Sequence, residues 1–151
     1  DTSVSRVVVE ELNLPHHRIK SYLFLRENAE WRLTQLKEEK MERSENSDFY
    51  AFYQRFSTDE EYQREHIAQQ LSFSTFDEDY FKRIEGFISA SQWPDFAPEL
   101  PKNMLTNVLY GQTFKNTNLR VLSISSLSSG LTSTLTFRRR NGKWMLTRLD
   151  N

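Results

Sequence analysis

The sharpest alternation of apolar and polar residues lies at the end of the chain, Leu131 to Leu149, LTSTLTFRRRNGKWMLTRL. Asn141-Gly142 stands between two alternating runs, the strongest short-range signal for a two-residue turn with both central residues at positive φ. That register sets Arg139 opposite Trp144, Phe137 opposite Leu146 and Leu135 opposite Arg148. One face then carries Leu131, Leu135, Phe137, Trp144 and Leu146. The other carries Thr134, Thr136, Arg138, Met145, Thr147 and Leu149. A sheet with an apolar face needs a cover, and the preceding chain has to supply it.

Phe49, Phe52, Tyr53 and Phe56 recur at helical spacing within Asp48 to Phe56, and Ser47 is placed to cap that helix. Thr58-Asp59-Glu60-Glu61 is a capping box that opens a second short helix through Ile67. Leu71 to Phe76 reads as a short strand. Asp77-Glu78-Asp79 then predicts the start of a third helix, with Phe81, Ile84, Phe87 and Ile88 on one face. Trp93-Pro94-Asp95-Phe96-Ala97-Pro98 ends that helix as an aromatic loop. Met104 to Tyr110 and Leu119 to Leu127 are strands ahead of the final hairpin.

The front of the chain repeats its end. Val7-Val8-Val9 is a strand, and Ile19 to Arg26 and Trp31 to Leu36 flank the turn Glu27-Asn28-Ala29-Glu30. With an offset of 113 residues and no gap, Phe24 falls on Phe137, Arg26 on Arg139 and Asn28 on Asn141; Trp31 falls on Trp144, Leu33 on Leu146 and Leu36 on Leu149. Residues 1–36 therefore read as the tail of a first copy. Residues 47–151 read as a complete second copy, and Lys37 to Asn46 either as a charged linker or as the strand running on into a short helix. A first copy of that period lacks a front part on the order of 75 residues. The start at Asp1-Thr2-Ser3, without Met, is read as processing or as a cut within a longer protein.

Helices gathered ahead of a sheet predict an α+β fold: two to three N-terminal helices on a curved antiparallel sheet, preceded by an extra β-hairpin. The order resembles the nuclear transport factor 2-like superfamily, the α+β cone. The stretches FYAFYQRFSTDEEYQREHI and RRRNGKWMLTRLDN look like an uncharacterised family within it, found mainly in exported proteins of Bacteroidetes and sometimes as two copies. The resemblance covers about residues 48–151. It implies an exported protein, periplasmic or anchored at the cell surface, and assigns no activity.

Composition narrows the partners. The 151 residues carry a net charge of −1, so bulk charge points to neither nucleic acid nor an anionic membrane. With no Cys there are no disulfides and no thiolate metal sites. No run of eighteen apolar residues is present to span a membrane.

A cone closed by helices commonly encloses a pocket. Its candidate lining is Phe52, Tyr53, Phe56, Trp93, Tyr110, Phe137 and Trp144, with core packing as the alternative role for each. Trp93 and Tyr110, each with a polar handle, suit the mouth. Enzymes of the resembled superfamily use an Asp or His inside the cone as general base, often with a Tyr. Here no convincing Asp–His pair is found: His66 reads as a helix residue, and Asp79 and Asp95 as caps. His16-His17 makes a poor chelate, and no metal or other cofactor is expected. Arg138-Arg139-Arg140 with Lys143 forms a basic tip, where Arg139 is expected to lie over Trp144. The leading expectation is a non-catalytic module that binds a small apolar ligand or another protein. Self-association through the sheet or the N-terminal hairpin is included. A small isomerase- or dehydratase-like enzyme with a buried acid or base is the alternative, and a structural spacer of stacked copies is a third.

Overall fold

The computed structural model describes residues 4–111 and 117–151. These residues form nine strands, three short α-helices and two 3-10 turns. The chain divides into two compact units, Asp1–Gln54 with Pro101–Thr117, and Arg55–Leu100 with Asn118–Asn151.

The first unit is built on β1 (Arg6–Asn13), β2 (Arg18–Glu27) and β3 (Glu30–Lys40). They form an antiparallel meander, because Asn28 and Ala29 both take positive φ and close a two-residue turn. Lys37 to Lys40 continue β3, and a 3-10 turn, Met41–Arg43, follows with Met41 buried. Helix α1 (Ser47–Thr58) starts in this unit. On it Phe49, Phe52 and Tyr53 are buried as the spacing predicts, and so is Tyr50.

The second unit holds α2 (Glu60–Glu65), β4 (Ile67–Asp77), β5 (Lys82–Ser89) and the four-residue α3 (Trp93–Phe96). The N-cap of α2 is Asp59, whose carboxylate accepts from the Tyr62 backbone N–H at 3.0 Å. Strand β6 (Met104–Leu109) belongs to the first unit. There it pairs with β1, giving the sheet order β3-β2-β1-β6. Strands β7 (Leu119–Ser125), β8 (Thr132–Arg140) and β9 (Lys143–Asp150) complete the second sheet, in the order β5-β4-β9-β8-β7. Its one parallel pairing is β4 with β9.

The expected architecture, two to three helices covering one curved sheet with an added hairpin, is therefore corrected. The described residues are mostly strand, in two sheets, and the three α-helices have 12, 6 and 4 residues. The predicted third helix is β5. It pairs with β4 along its whole length, and among Phe81, Ile84, Phe87 and Ile88 only Ile88 is buried. The acidic run that suggested a helix start instead forms a turn. The Asp77 carboxylate accepts from the backbone N–H groups of Asp79 and Tyr80, and Phe81 takes a φ of 50°. An aspartate that can cap a helix can equally close a turn, and here strand pairing won.

The final hairpin keeps its predicted register near the turn, Arg139 opposite Trp144 and Phe137 opposite Leu146. A bulge between Thr136 and Phe137 then places Leu135 opposite Leu149, not Arg148. The extra residue flips everything beyond it to the other face. Leu149 joins Leu135, Phe137, Trp144 and Leu146 in the core, whereas Leu131 lies outside β8 and is exposed. Replacing Leu146 by Ala is expected to cost about 2–5 kcal/mol in urea denaturation. Leu33→Ala, at the matching but exposed position, is expected to cost less than ~1 kcal/mol in the same chain.

Candidate functional site

In the first unit, β1 lies between β2 and β6, and one residue from each strand meets on one face: Glu10 opposite Ser21 and Asn107. Helix α1 brings Tyr50 to the same place. The Tyr50 hydroxyl donates to Glu10 Oε1 at 3.4 Å, Asn107 Nδ2 donates to that oxygen at 3.2 Å, and Asn107 Nδ2 also lies 3.3 Å from the Tyr50 hydroxyl. Glu10 is only 8% exposed. Burial raises its carboxyl above the ordinary range against the opposing pull of the Asn107 and Tyr50 hydrogen bonds, and the charge of Glu39 adds to the rise. Burial, then the charge of Glu10, pushes the Tyr50 phenol up to about 12. The same sheet face continues into a recess of about 270 Å³, where Ser21, Gln35, Lys37 and Glu39 mix with Val8 and Leu23. Lys37 and Glu39 pair along β3 at 3.4 Å.

Glu10 was missed in the sequence. It sits in a polar pair, Glu10-Glu11, at the end of an apolar run, and neither residue type nor neighbours mark it as the inward one. The strand period supplies the signal: Glu10 shares its parity with Leu12, and Leu12 is fully buried.

The seven predicted pocket residues fall in both units. In the first, Phe52 and Tyr53 are buried, and the Tyr53 hydroxyl donates to the Pro101 carbonyl at 2.7 Å. Tyr110 is 60% exposed. In the second, Phe56 meets Phe137 edge-on at 5.4 Å between ring centroids. Trp93 is buried and its indole N–H donates to Gln63 Oε1 at 2.7 Å. Trp144 is buried under two guanidinium groups, Arg139 at 5.0 Å and Arg120 at 5.2 Å from its ring.

Other polar groups are held in place by neighbours. His66 stacks on Tyr62 at 3.8 Å, and its Nδ1 lies 2.6 Å from the Tyr62 carbonyl oxygen. Ser74, fully buried, donates to Asp150, while Arg83 donates to Ser74 Oγ at 2.8 Å. Arg148 bridges Asp150 and Glu85. Burial raises the Asp150 carboxyl, but the bonds from Arg148 and Ser74 outweigh it and the net displacement is downward. Among the described residues, no three His, Cys, Asp or Glu side chains cluster so as to hold a metal.

Large apolar side chains remain outside both cores. Trp31, Leu33 and Leu36 lie bare on β3. Phe76, Tyr80, Phe81, Ile84 and Phe87 lie bare on the β4–β5 hairpin. Patches of this kind on a folded chain usually mark contact with another chain.

Comparison with known proteins places the chain. The model of a domain of unknown function, DUF4348, matches residues 1–151. The structure is similar to the crystal structure of an NTF2-like protein from Bacteroides fragilis, with 33% sequence identity and a TM-score of 0.84. The similarity covers 99% of this chain and 66% of that one, so the chain spans just under two thirds of its relative. No curated protein matches it.

Glu10→Gln tests what the buried carboxyl does. As pH rises through the ordinary Glu value of 4.5, the unfolded chain releases this proton before the folded chain does. Folding stability therefore falls with pH until Glu10 has ionised in the folded state too. Thermal melts between about pH 4 and pH 8 should show Glu10→Gln matching the parent in acid and exceeding it at neutral pH by a few degrees, roughly the shift of 1 kcal/mol or less. A variant that melts lower at neutral pH would mean that the negative charge itself holds the fold.

Proposed function

The chain belongs to the DUF4348 family and has an NTF2-like fold, and we propose that it is a non-catalytic module that binds another polypeptide through an apolar sheet face. The observation that carries the proposal is the outer face of the first unit's sheet. Cα pairing sets Val9, Tyr22 and Leu36 in one row and Val7, Phe24 and Leu33 in the next, with Val108 of β6 beside Val9. Leu33, Leu36 and Val108 are exposed, and Val7, Val9, Tyr22 and Phe24 are partly so. An exposed apolar surface such as that of Leu33 and Leu36 is costly in water at about 25 cal/mol per Å², and a partner chain removes that cost. The aromatic side chains first assigned to a ligand pocket support the same reading: six of the seven are buried.

Glu10 favours a second reading, a small enzyme with its acid or base in the first unit. A shielded carboxyl with a raised pKa beside a tyrosine is the equipment of a general base. It ranks second because both neighbours of Glu10 bind one of its oxygens directly, as a structural hydrogen-bond triad would.

The interaction reading predicts a difference between contexts. In residues 1–151 alone, Leu33→Asp with Leu36→Asp should leave the melting temperature within about 2 °C of the parent, since both sites are exposed. In the native assembly purified from the source cell, the same double substitution should lower it by several degrees or dissociate the assembly. Equal behaviour in both contexts would sink the interaction reading.

A further inference from the structure

The bare face of the first unit has a covered counterpart in the second. The two β-meanders agree in detail at the 113-residue offset. Arg26 faces Trp31 and Arg139 faces Trp144, each guanidinium lying over the ring, at 5.7 and 5.0 Å. Both hairpins turn at an Asn with positive φ, Asn28 and Asn141. Both carry a bulge at the same place, between Leu23 and Phe24 and between Thr136 and Phe137. At both bulges a threonine hydroxyl donates to the carbonyl across the strand pair, Thr34 to Leu23 and Thr147 to Thr136, each at 3.3 Å. Generic hairpin chemistry explains a shared turn. It does not place a bulge and its threonine bond at equivalent residues.

Burial is where the two meanders part. Trp144, Leu146 and Leu149 are 4%, 0% and 0% exposed, whereas Trp31, Leu33 and Leu36 are 43%, 54% and 56% exposed. In the second unit, Phe56 of α1 packs on Phe137, and β4 adds a parallel strand along the edge of β9, with Phe73 beside Leu149. In the first unit the edge of β3 is open among the described residues, and Phe24, the equivalent of Phe137, is only partly buried. The inner edges differ reciprocally. β1 has β6 as a neighbour, while its equivalent β7 ends its sheet among the described residues.

We propose that the bare face and the open edge of β3 receive a half-domain of the same design as residues 47–110, carried upstream in the same polypeptide. This rests on the interaction reading above and names the partner. Its aromatic helix would lie on Phe24, Trp31 and Leu33 as Phe56 lies on Phe137. Its first strand would run parallel to β3 beside Leu33 and Leu36, as β4 runs beside Leu146 and Leu149. Two lengths support this occupant over others. A full first copy at a period of 113 needs on the order of 75 residues beyond residues 1–36. The Bacteroides fragilis relative is longer than this chain by about that much.

The test compares hydrogen exchange of the β3 segment, residues 30–40, with that of residues 143–150. The comparison is made in residues 1–151 alone and in the complete translation product of the source reading frame. Alone, the β3 segment should exchange on the order of 100-fold faster than its counterpart, because it has an open edge and a bare face. In the complete product it should slow to the level of residues 143–150, and the frame should encode an upstream segment with an aromatic helix and a following hairpin. A frame without such a segment overturns the proposal, as does a segment that leaves β3 unprotected. Protection in residues 1–151 alone, with a mass of two chains, overturns it in favour of a second copy. Protection in the native assembly without the upstream segment leaves the interaction reading standing and removes this partner. Absence of protection in every context removes both.

Discussion

Phe137 meets Phe56 edge-on, and that contact is where a twisted sheet acquires its cover. The Arg139–Trp144 stack and the buried Leu135, Leu146 and Leu149 share the same sheet, and each gains from the exclusion of water. A sheet presents two faces and two edges, and each must be covered, paired or made polar. The second unit covers its apolar face with the end of α1 and pairs the edge of β9 with the parallel strand β4. The first unit meets this demand on one face, where Leu12, Ile19 and the Glu10 triad are buried, and among the described residues leaves the other apolar and open.

That asymmetry organises the functional reading. Buried polar groups in this chain are satisfied: no buried side-chain nitrogen or oxygen among the described residues lacks a hydrogen-bond partner. Glu10, Ser74 and Asp150 are held by neighbours that fix strands to one another, and His66 is held against Tyr62 at the end of α2. Chemistry in the interior is thereby committed to structure, and the unspent surface is apolar.

The bulge at Thr136 shows how one residue can redirect a face. Without it, Leu149 would point with Thr147 and Met145, and the core would lose a fully buried leucine. The equivalent bulge beside Leu23 acts in the same way on Leu36, which faces Tyr22 and joins the row of the bare face. An identical device in two sheets, one covered and one not, is why the open face reads as a prepared surface and not as an accident of composition.

By itself the sequence determined the local, short-range features: both hairpins and their turns, the aromatic face of α1, the start of α2 and the stacking of Arg139 on Trp144. These depend on spacing and turn chemistry within a few residues. Tertiary structure decided the rest. Residues 82–89 carry a helical spacing of Ile and Phe, but pairing with β4 made them a strand, and periodicity cannot see a partner strand. The bulges moved Leu36 and Leu149, because register beyond a turn depends on cross-strand hydrogen bonds. Glu10 became buried because β6, nearly a hundred residues away in sequence, brought Asn107 beside it. Such long-range pairings leave no local trace, and they set both the candidate site and the face left open.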